Sequence, residues 1–283
     1  MTVEIVRPET LTEALALLAK PRVEKRCVNG GTDLMVQLKD GNLPAALWID
    51  LSGLGALRSI KEQGRHFVLG SGVTHAQILR DPAMQRHAPA LVQACAVIGG
   101  PQIRARGTIG GNVANASPAG DTVPPLMALG ADVILKSARG QRTIALAEFF
   151  LGVRRTVMKP GELILAIRFP KVEQARGAFL RLGQRHSQAI SKVSVAVSLT
   201  LGAKKVLQSV GIAMGSVAPT VLLAPRTMQA VEGQALTDAT IAKARAAIRE
   251  ECKPITDLRS TEIYRREMCA ELLERALRQA CDM

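Results

Sequence analysis

Aromatic residues are scarce in this chain of 283 residues, where they make up 2% of the sequence with a single tryptophan and a single tyrosine. Nucleic-acid modules that stack bases need exposed rings, so this scarcity weighs against them. Hydrophobic residues nevertheless make up 47% of the chain, which predicts a sizeable core built from Ala, Leu, Val and Ile. We therefore expect an aliphatic globular protein with no nucleic-acid partner.

Cysteine pairs at metal-binding spacing are also missing. The five cysteines form no C-x-x-C and no zinc or iron–sulfur pattern, so no metal site is expected. Their odd, scattered number predicts reduced, mostly buried thiols. The first residues carry no secretory pattern, and no apolar run reaches membrane-spanning length. These features predict a cytoplasmic location without a transmembrane segment.

The charge is positive but dispersed. The net charge is +13, yet no run of five or more basic residues occurs. A basic balance suits a nucleic acid, an anionic membrane, an acidic protein or a phosphorylated ligand. The dispersion favours a solvated surface for most of these side chains.

Hydrophobic periodicity predicts an α+β chain in two parts. The first part begins strand–helix–strand–helix–strand, and a strand at 25–29 runs through two glycines into a helix at 32–39. In the second part, strands at 178–182, 193–201 and 206–214 precede helices at 224–231, 237–251 and 261–280. We expect one domain at 1–173, with subdomains of about 1–55 and 56–173, and a C-terminal domain at 174–283.

Two glycine-rich stretches stand out. The first glycine segment, residues 28–34, reads V-N-G-G-T-D-L, and the second glycine segment, residues 104–117, reads R-A-R-G-T-I-G-G-N-V-A-N-A-S. The first could present backbone N–H groups to a phosphate, and a plain turn capped by Thr32 explains it equally well. The second is poor in helix formers and predicts irregular backbone, with Arg104 and Arg106 on the surface. Neither segment matches a Rossmann or P-loop pattern.

Together these segments resemble the FAD-binding subunit of molybdenum hydroxylases, the medium subunits of the xanthine dehydrogenase and carbon monoxide dehydrogenase family. The resemblance extends to G-E-L-I-L-A-I-R-F-P at 161–170 and R-H-S-Q-A-I-S-K-V-S-V-A at 185–196, and it covers nearly the whole chain. T-I-G-G-N followed nine residues later by Asp121 is its most specific part. The resemblance implies an FAD-binding fold of the vanillyl-alcohol oxidase type with two subdomains, followed by a C-terminal α+β domain of antiparallel strands and helices.

The resemblance also implies FAD as the cofactor and assigns roles by position. The two glycine segments would hold the dinucleotide from opposite sides, and Asp121 would bind a sugar or ribityl hydroxyl. Arg181 stands where some relatives have a lysine near the flavin ring, and Ile98 where eukaryotic relatives have an aromatic residue. The implied cofactor-binding residues are Val28, Asn29, Gly30, Gly31, Thr32, Asp33, Leu34, Ile98, Thr108, Ile109, Gly110, Gly111, Asn112, Asp121, Ile164 and Arg181.

Some of these residues have plain structural explanations when they are taken alone. Ile98 and Ile164 suit an ordinary core, Asp121 suits the N-cap of a helix, and Asn115 suits a turn. His186 lies close in sequence to Arg181 and is a further candidate for contact with the flavin.

The function implied by the resemblance is an electron-transfer subunit without catalytic side chains of its own. Its partners would be a small [2Fe–2S] subunit and a large molybdopterin subunit, in a dimer of heterotrimers, with NAD⁺ or another acceptor receiving electrons from the FAD. A self-contained flavin oxidase or reductase of the same fold is an alternative that needs an acid or base over the flavin. A basic nucleotide- or RNA-binding protein is a remote one, which salt-sensitive nucleic-acid binding without flavin would support.

Overall fold

The computed structural model describes residues 4–21, 24–41, 43, 46–185 and 188–282. Within these residues, the chain begins with three strands and two helices: β1 Glu4–Val6, α1 Leu11–Ala19, β2 Lys25–Val28, α2 Leu34–Lys39 and β3 Leu47–Asp50. The strands are parallel, in the order β1-β3-β2. Helix α1 is capped by Thr10, whose hydroxyl accepts a hydrogen bond from the Glu13 N–H at 3.1 Å. The buried face of α1, at Ala14, Leu15 and Leu18, packs against this sheet.

A second, antiparallel sheet forms the middle of the chain. Its strands are β4 Ile60–Gln63, β5 His66–Gly70, β6 Asp132–Ser137, β7 Gly140–Ala145 and, further along the chain, β10 Leu163–Pro170. The spatial order is β4-β5-β10-β6-β7, so the late strand β10 lies at the centre. A small hairpin of β8 Phe150–Gly152 and β9 Arg155–Thr156 precedes β10.

Seven α-helices belong to this middle part, which the structure describes without a gap from residue 46 to residue 185. Six of them connect β5 to β6: α3 His75–Arg80, α4 Pro82–His87, α5 Pro89–Val97, α6 Pro101–Arg106, α7 Ile109–Asn115 and α8 Val123–Ala128. The seventh is α9 Leu146–Phe149. The buried apolar side chains of six of these helices share one core with the middle sheet, whereas α6 has no buried residue. The first glycine segment begins at the last residue of β2. The second contains the end of α6 and the whole of α7.

The C-terminal part follows the predicted order of strands and then helices. It contains β11 Arg176–Leu182, β12 Val193–Leu201, β13 Leu207–Gly215, β14 Leu222–Leu223, α10 Pro225–Val231, α11 Asp238–Glu251 and α12 Glu262–Ala280. The strands form an antiparallel sheet in sequence order. One face packs on the three helices, while Phe179, Ala196 and Ala213 join the core of the middle part. The predicted α+β class is confirmed.

The prediction of irregular backbone in the second glycine segment was wrong, because α6 and α7 lie there. Thr108 caps α7 by accepting a hydrogen bond from the Gly111 N–H at 3.1 Å. Ile109 and Val113 are fully buried, and burying each contributes about 1.5–3 kcal/mol. That gain exceeds the cost of a helical glycine, about 1 kcal/mol at each position. Two smaller differences are that α4 was not predicted and that α2 begins at Leu34 rather than at 32.

Candidate functional site

The two glycine segments touch each other. A Cβ on Gly30 would overlap the carbonyl oxygen of Arg106 and lie 3.1 Å from the Cα of Gly107. A side chain at Gly30 would therefore push the segments apart. On the other side of the contact, Asn115 Nδ2 donates a hydrogen bond to Asp33 Oδ1 at 2.9 Å. The segments form one site, which we call the glycine cleft.

The first glycine segment brings free backbone donors to this cleft. Among the described residues, no backbone carbonyl accepts a hydrogen bond from the N–H groups of residues 30–33. Gly31 has a positive φ of 72°, a left-handed conformation that side chains rarely adopt. Consecutive N–H groups around such a glycine make a concave binding place for an anion. The segment therefore fits a phosphate group.

The second glycine segment uses its backbone donors internally. The four N–H groups at the start of α7 each have a protein acceptor, so they fix the helix rather than a ligand. Gly111 is exposed, so at this position the helix presents backbone without a side chain to the cleft. The donor–acceptor pairs are Ile109 N to Val73 O at 2.9 Å, Gly110 N to Ser71 O at 3.0 Å, Gly111 N to Thr108 Oγ1 at 3.1 Å and Asn112 N to Thr108 O at 3.0 Å.

Glycine is also needed in the second segment for close packing. A Cβ on Gly110 would overlap Ser71, and one on Gly107 would lie 3.1 Å from Cδ2 of His75. His75 is buried, and its Nδ1 lies 3.8 Å from the Sγ of Cys95. Burial lowers the pKa of His75 to about 4, so the imidazole beside the cleft is neutral near pH 7.

The side chains of the predicted residues in the two segments divide between surface and core. Thr108, Ile109 and Gly110 are buried, and Asn112 is half-buried with its Oδ1 accepting a hydrogen bond from Thr122 Oγ1 at 2.7 Å. In the first segment, Asp33 is exposed. The other six residues are half-buried: Val28, Asn29, Gly30, Gly31, Thr32 and Leu34.

Asp121 and Arg181 form a buried ion pair. Arg181 Nη1 donates to Asp121 Oδ2 at 2.7 Å, and Ser191 Oγ donates to Asp121 Oδ1 at 2.6 Å. The side chains of Asp121 and Arg181 are only 7% and 8% exposed. Burial raises the pKa of Asp121, while Arg181 and Ser191 act in the opposite direction. Arg181 also donates to the carbonyls of Ala189 at 2.9 Å and Val97 at 2.7 Å, so it links β11 to the end of α5.

The two isoleucines occupy different surroundings. Ile98 is half-buried and directly follows α5, next to the carbonyl that Arg181 binds. Ile164 is buried in the central strand β10 and belongs to the core of the middle part. Ile98 thus lies next to the residue whose carbonyl binds Arg181, whereas Ile164 contributes to core packing.

Three residues at the site were missed or misjudged from the sequence. Arg104, predicted to lie on the surface, donates from Nη1 to the carbonyls of Ile98 at 3.1 Å and Gly99 at 3.2 Å. Asn115, considered a turn residue, bonds to Asp33. Ser191 was visible only as part of the 185–196 motif. Asn115 and Ser191 bind residues that are distant in sequence, and the carbonyls that Arg104 binds lie in a loop. No local sequence pattern could therefore reveal these bonds.

Four further observations concern His186, metal ligands, the cysteines and the length of the helices. His186 lies outside the described residues. Within the described ranges, no group of three or more His, Cys, Asp or Glu side chains is placed to hold a metal ion. All five cysteines are free, and four of them are buried. Over that same part of the chain, none of the helices has the length and apolar character to cross a membrane.

Comparison with known families accounts for nearly the whole chain. The family described as the FAD binding domain in molybdopterin dehydrogenase matches residues 1–172, and the CO dehydrogenase flavoprotein C-terminal domain matches residues 178–280. The site fits this cofactor, since FAD carries a pyrophosphate for the free N–H groups of the first glycine segment.

Individual relatives agree with the family match. The carbon monoxide dehydrogenase medium chain of Afipia carboxidovorans is 32% identical over 275 residues, which cover 97% of this chain and 95% of the relative. A putative xanthine dehydrogenase FAD-binding subunit of Escherichia coli is 28% identical over 97% of this chain and 94% of its own. The solved structure of carbon monoxide dehydrogenase from Hydrogenophaga pseudoflava gives a TM-score of 0.94 at 29% identity, covering 99% of this chain and 97% of that one. The chain therefore belongs to the FAD-binding subunits of the molybdenum hydroxylase family, oxidoreductase subunits of the carbon monoxide dehydrogenase and xanthine dehydrogenase type.

Proposed function

We propose that this chain carries electrons, through FAD bound in the glycine cleft, from [2Fe–2S] clusters of a partner subunit to NAD⁺ or another acceptor. The observation that supports the cofactor position best is the row of free N–H groups at residues 30–33, held against the backbone of Arg106 and Gly107. FAD supplies a group that takes up electrons singly and passes them on as a pair. The protein binds, orients and shields this group.

Each residue then has a defined task. The N–H groups of the first glycine segment bind the pyrophosphate, and the exposed Gly111 leaves room for the dinucleotide on the opposite side. Asp121 keeps unused lone pairs for a hydroxyl of the ribityl chain. Arg181 stabilises negative charge near the ring, although Asp121 neutralises much of its field. Ile98 and Ile164 supply apolar contact near the flavin.

The names of the relatives support the proposed partners. The carbon monoxide dehydrogenase relatives are named as medium chains, a name that implies smaller and larger subunits in those complexes. We assign this chain a small [2Fe–2S] subunit and a large molybdopterin subunit, arranged as a dimer of heterotrimers in the cytoplasm. Substrate oxidation belongs to the large subunit.

The first test is purification of the chain, with its visible absorption recorded and any cofactor released by acid identified. A flavin spectrum with released FAD is the expected result. If the chain is colourless, FAD is added to it alone and after co-expression with the neighbouring subunits. Failure to bind FAD under all these conditions would contradict the proposal.

The acceptor is tested separately on the FAD-loaded protein. The flavin is reduced chemically without oxygen and then mixed with NAD⁺. Reoxidation on mixing identifies NAD⁺ as an acceptor, whereas a flavin that stays reduced assigns that role to another molecule.

A further inference from the structure

The turn between α5 and α6 is held by two arginines from different parts of the chain. The last carbonyls of a helix have no partner within the helix, and cationic donors near that end stabilise it. Here Arg181 Nη2 binds the carbonyl of Val97 at 2.7 Å. Arg104 Nη1 binds the next two carbonyls, those of Ile98 at 3.1 Å and Gly99 at 3.2 Å. Three successive carbonyls thus receive guanidinium donors, an arrangement we call the arginine clamp.

The turn inside the clamp has little freedom of its own. Gly99 has a positive φ of 47°, and a Cβ there would lie 2.8 Å from Cβ of Ile103. The donors are fixed as well. Arg104 lies on α6. Its backbone N–H donates the first hydrogen bond of this helix, to the Gly100 carbonyl at 3.0 Å. Arg181 is tied to Asp121 by the ion pair described above.

The placement of Ile98 has a direct effect on its contact with a planar ring. Dispersion contact weakens steeply with distance, and a gap of 0.5–1 Å forfeits roughly a quarter to a half of it. An aromatic side chain stacked on the ring would tolerate small lateral shifts because its contact area is large. A branched aliphatic side chain has a smaller contact area with the ring, so the same displacement removes a larger fraction of its contact.

We propose that Arg104 is a positioning residue, which acts through the carbonyls of Ile98 and Gly99 to hold the Ile98 side chain against the flavin ring. This inference rests on the proposed function, because it needs FAD in the glycine cleft with its ring beside Ile98. It goes beyond that function by giving a role to a residue with no place among the predicted cofactor contacts.

The test compares three variants of the full chain. Arg104→Met keeps much of the side-chain stem and removes the donors, and Arg104→Lys restores a charged donor. Arg80→Met is the matched control, since Arg80 is an exposed arginine in the last turn of α3. For each protein, two quantities are measured: the dissociation constant for FAD, and the visible absorption and circular dichroism of the flavin at saturation.

We expect Arg104→Met to weaken FAD binding about tenfold and to shift the flavin bands at saturation toward those of free FAD. Arg104→Lys should recover most of both changes, and Arg80→Met should match the native protein. A purely structural role for Arg104 would weaken FAD binding while the flavin spectrum at saturation stays native, and that result would overturn the inference. Native FAD binding and a native spectrum in Arg104→Met would overturn it as well. If the native chain itself binds no FAD, the proposed function and this inference fail together.

Discussion

Gly30 lies directly against the carbonyl group of Arg106, so close that a Cβ at residue 30 would overlap its oxygen and lie 2.8 Å from its carbon. Since both contact partners are backbone, no side chain can rotate away to make room. We predict that Gly30→Ala separates the glycine segments and weakens FAD binding by at least about tenfold, the equivalent of one lost hydrogen bond to a phosphate. Titration with FAD, followed by flavin fluorescence, measures this change.

The control for that variant is Gly55→Ala. A Cβ added to Gly55 would meet no heavy atom within 4 Å, and the residue has no positive φ. This variant should bind FAD as the native chain does. Equal affinity of Gly30→Ala and Gly55→Ala for FAD would show that the contact between the segments is unimportant for the cofactor.

Gly111 offers a test of the opposite wall of the cleft. It is exposed on α7, and its N–H is already used by Thr108. We predict that Gly111→Val abolishes FAD binding by filling space that the dinucleotide needs, while the fold is retained. The cost to stability should be about 1 kcal/mol, from crowding of the helix cap at Thr108, whose Oγ1 would lie 2.9 Å from the new Cβ.

Ala114→Val makes the comparison specific, because Ala114 is an exposed position on the same helix. Both variants place a β-branched residue in α7, but replacing Ala114 lowers the helix propensity and replacing Gly111 raises it, so a loss of FAD binding confined to Gly111→Val does not come from helix propensity. Thermal unfolding and FAD titration are measured for each. Full FAD occupancy in Gly111→Val would rule out the assignment of this wall.

His75 predicts how stability depends on pH. Its pKa is about 4 in the folded protein and 6.5 in an unfolded chain, because burial disfavours the charged ring. The unfolded state therefore binds the proton more readily between these values. The stability from this group is fully present above pH 6.5 and is lost as the pH falls toward 4, by about 3 kcal/mol in all.

The measurement is the unfolding free energy of the native chain and of His75→Gln between about pH 7.5 and pH 4.5, a range that spans most of this titration. The variant should lose less stability on acidification, although it starts lower at neutral pH. Parallel curves for the native chain and His75→Gln would refute this explanation.

Ser216 is a point of strain that can be relieved. It has a φ of 62°, is 7% exposed, and its Oγ has no hydrogen-bond partner among the described residues. Ser216→Gly removes both the left-handed strain and the unsatisfied hydroxyl, so we expect a gain of about 1 kcal/mol after the entropy cost of glycine. Thermal unfolding should shift upward by about 2–4 °C.

Ser198→Gly is the matched change in extended backbone, within β12. It should lower stability by roughly 0.5–1 kcal/mol. A fall in melting temperature for Ser216→Gly, equal to that of Ser198→Gly, would mean that neither the strain nor the free hydroxyl at residue 216 carries a cost.

Sequence reasoning succeeded where local pattern decides the structure. The apolar spacing of α11 and α12 and the strands around them follow from hydrophobic periodicity alone, and the family resemblance with its FAD cofactor is confirmed. Helix α7 was missed because its stability comes from burial of Ile109 and from the distant carbonyls of Ser71 and Val73. The bonds of Arg104 were missed since surface charge and carbonyl capping look alike in a sequence. The individual FAD contacts stay predictions.

The Asp121–Arg181 pair has a consequence for how such chains can be recombined. Asp121 precedes α8 in the FAD-binding part, whereas Arg181 and Ser191 belong to the C-terminal part. Neither part holds the ion pair complete, and a buried carboxylate without its cation costs about 3–5 kcal/mol. A chimera that joins one part of this chain to the other part of a relative would fold well only if the donor supplies the matching charge. One part can therefore be exchanged for that of a relative only if the charge that completes this pair is kept.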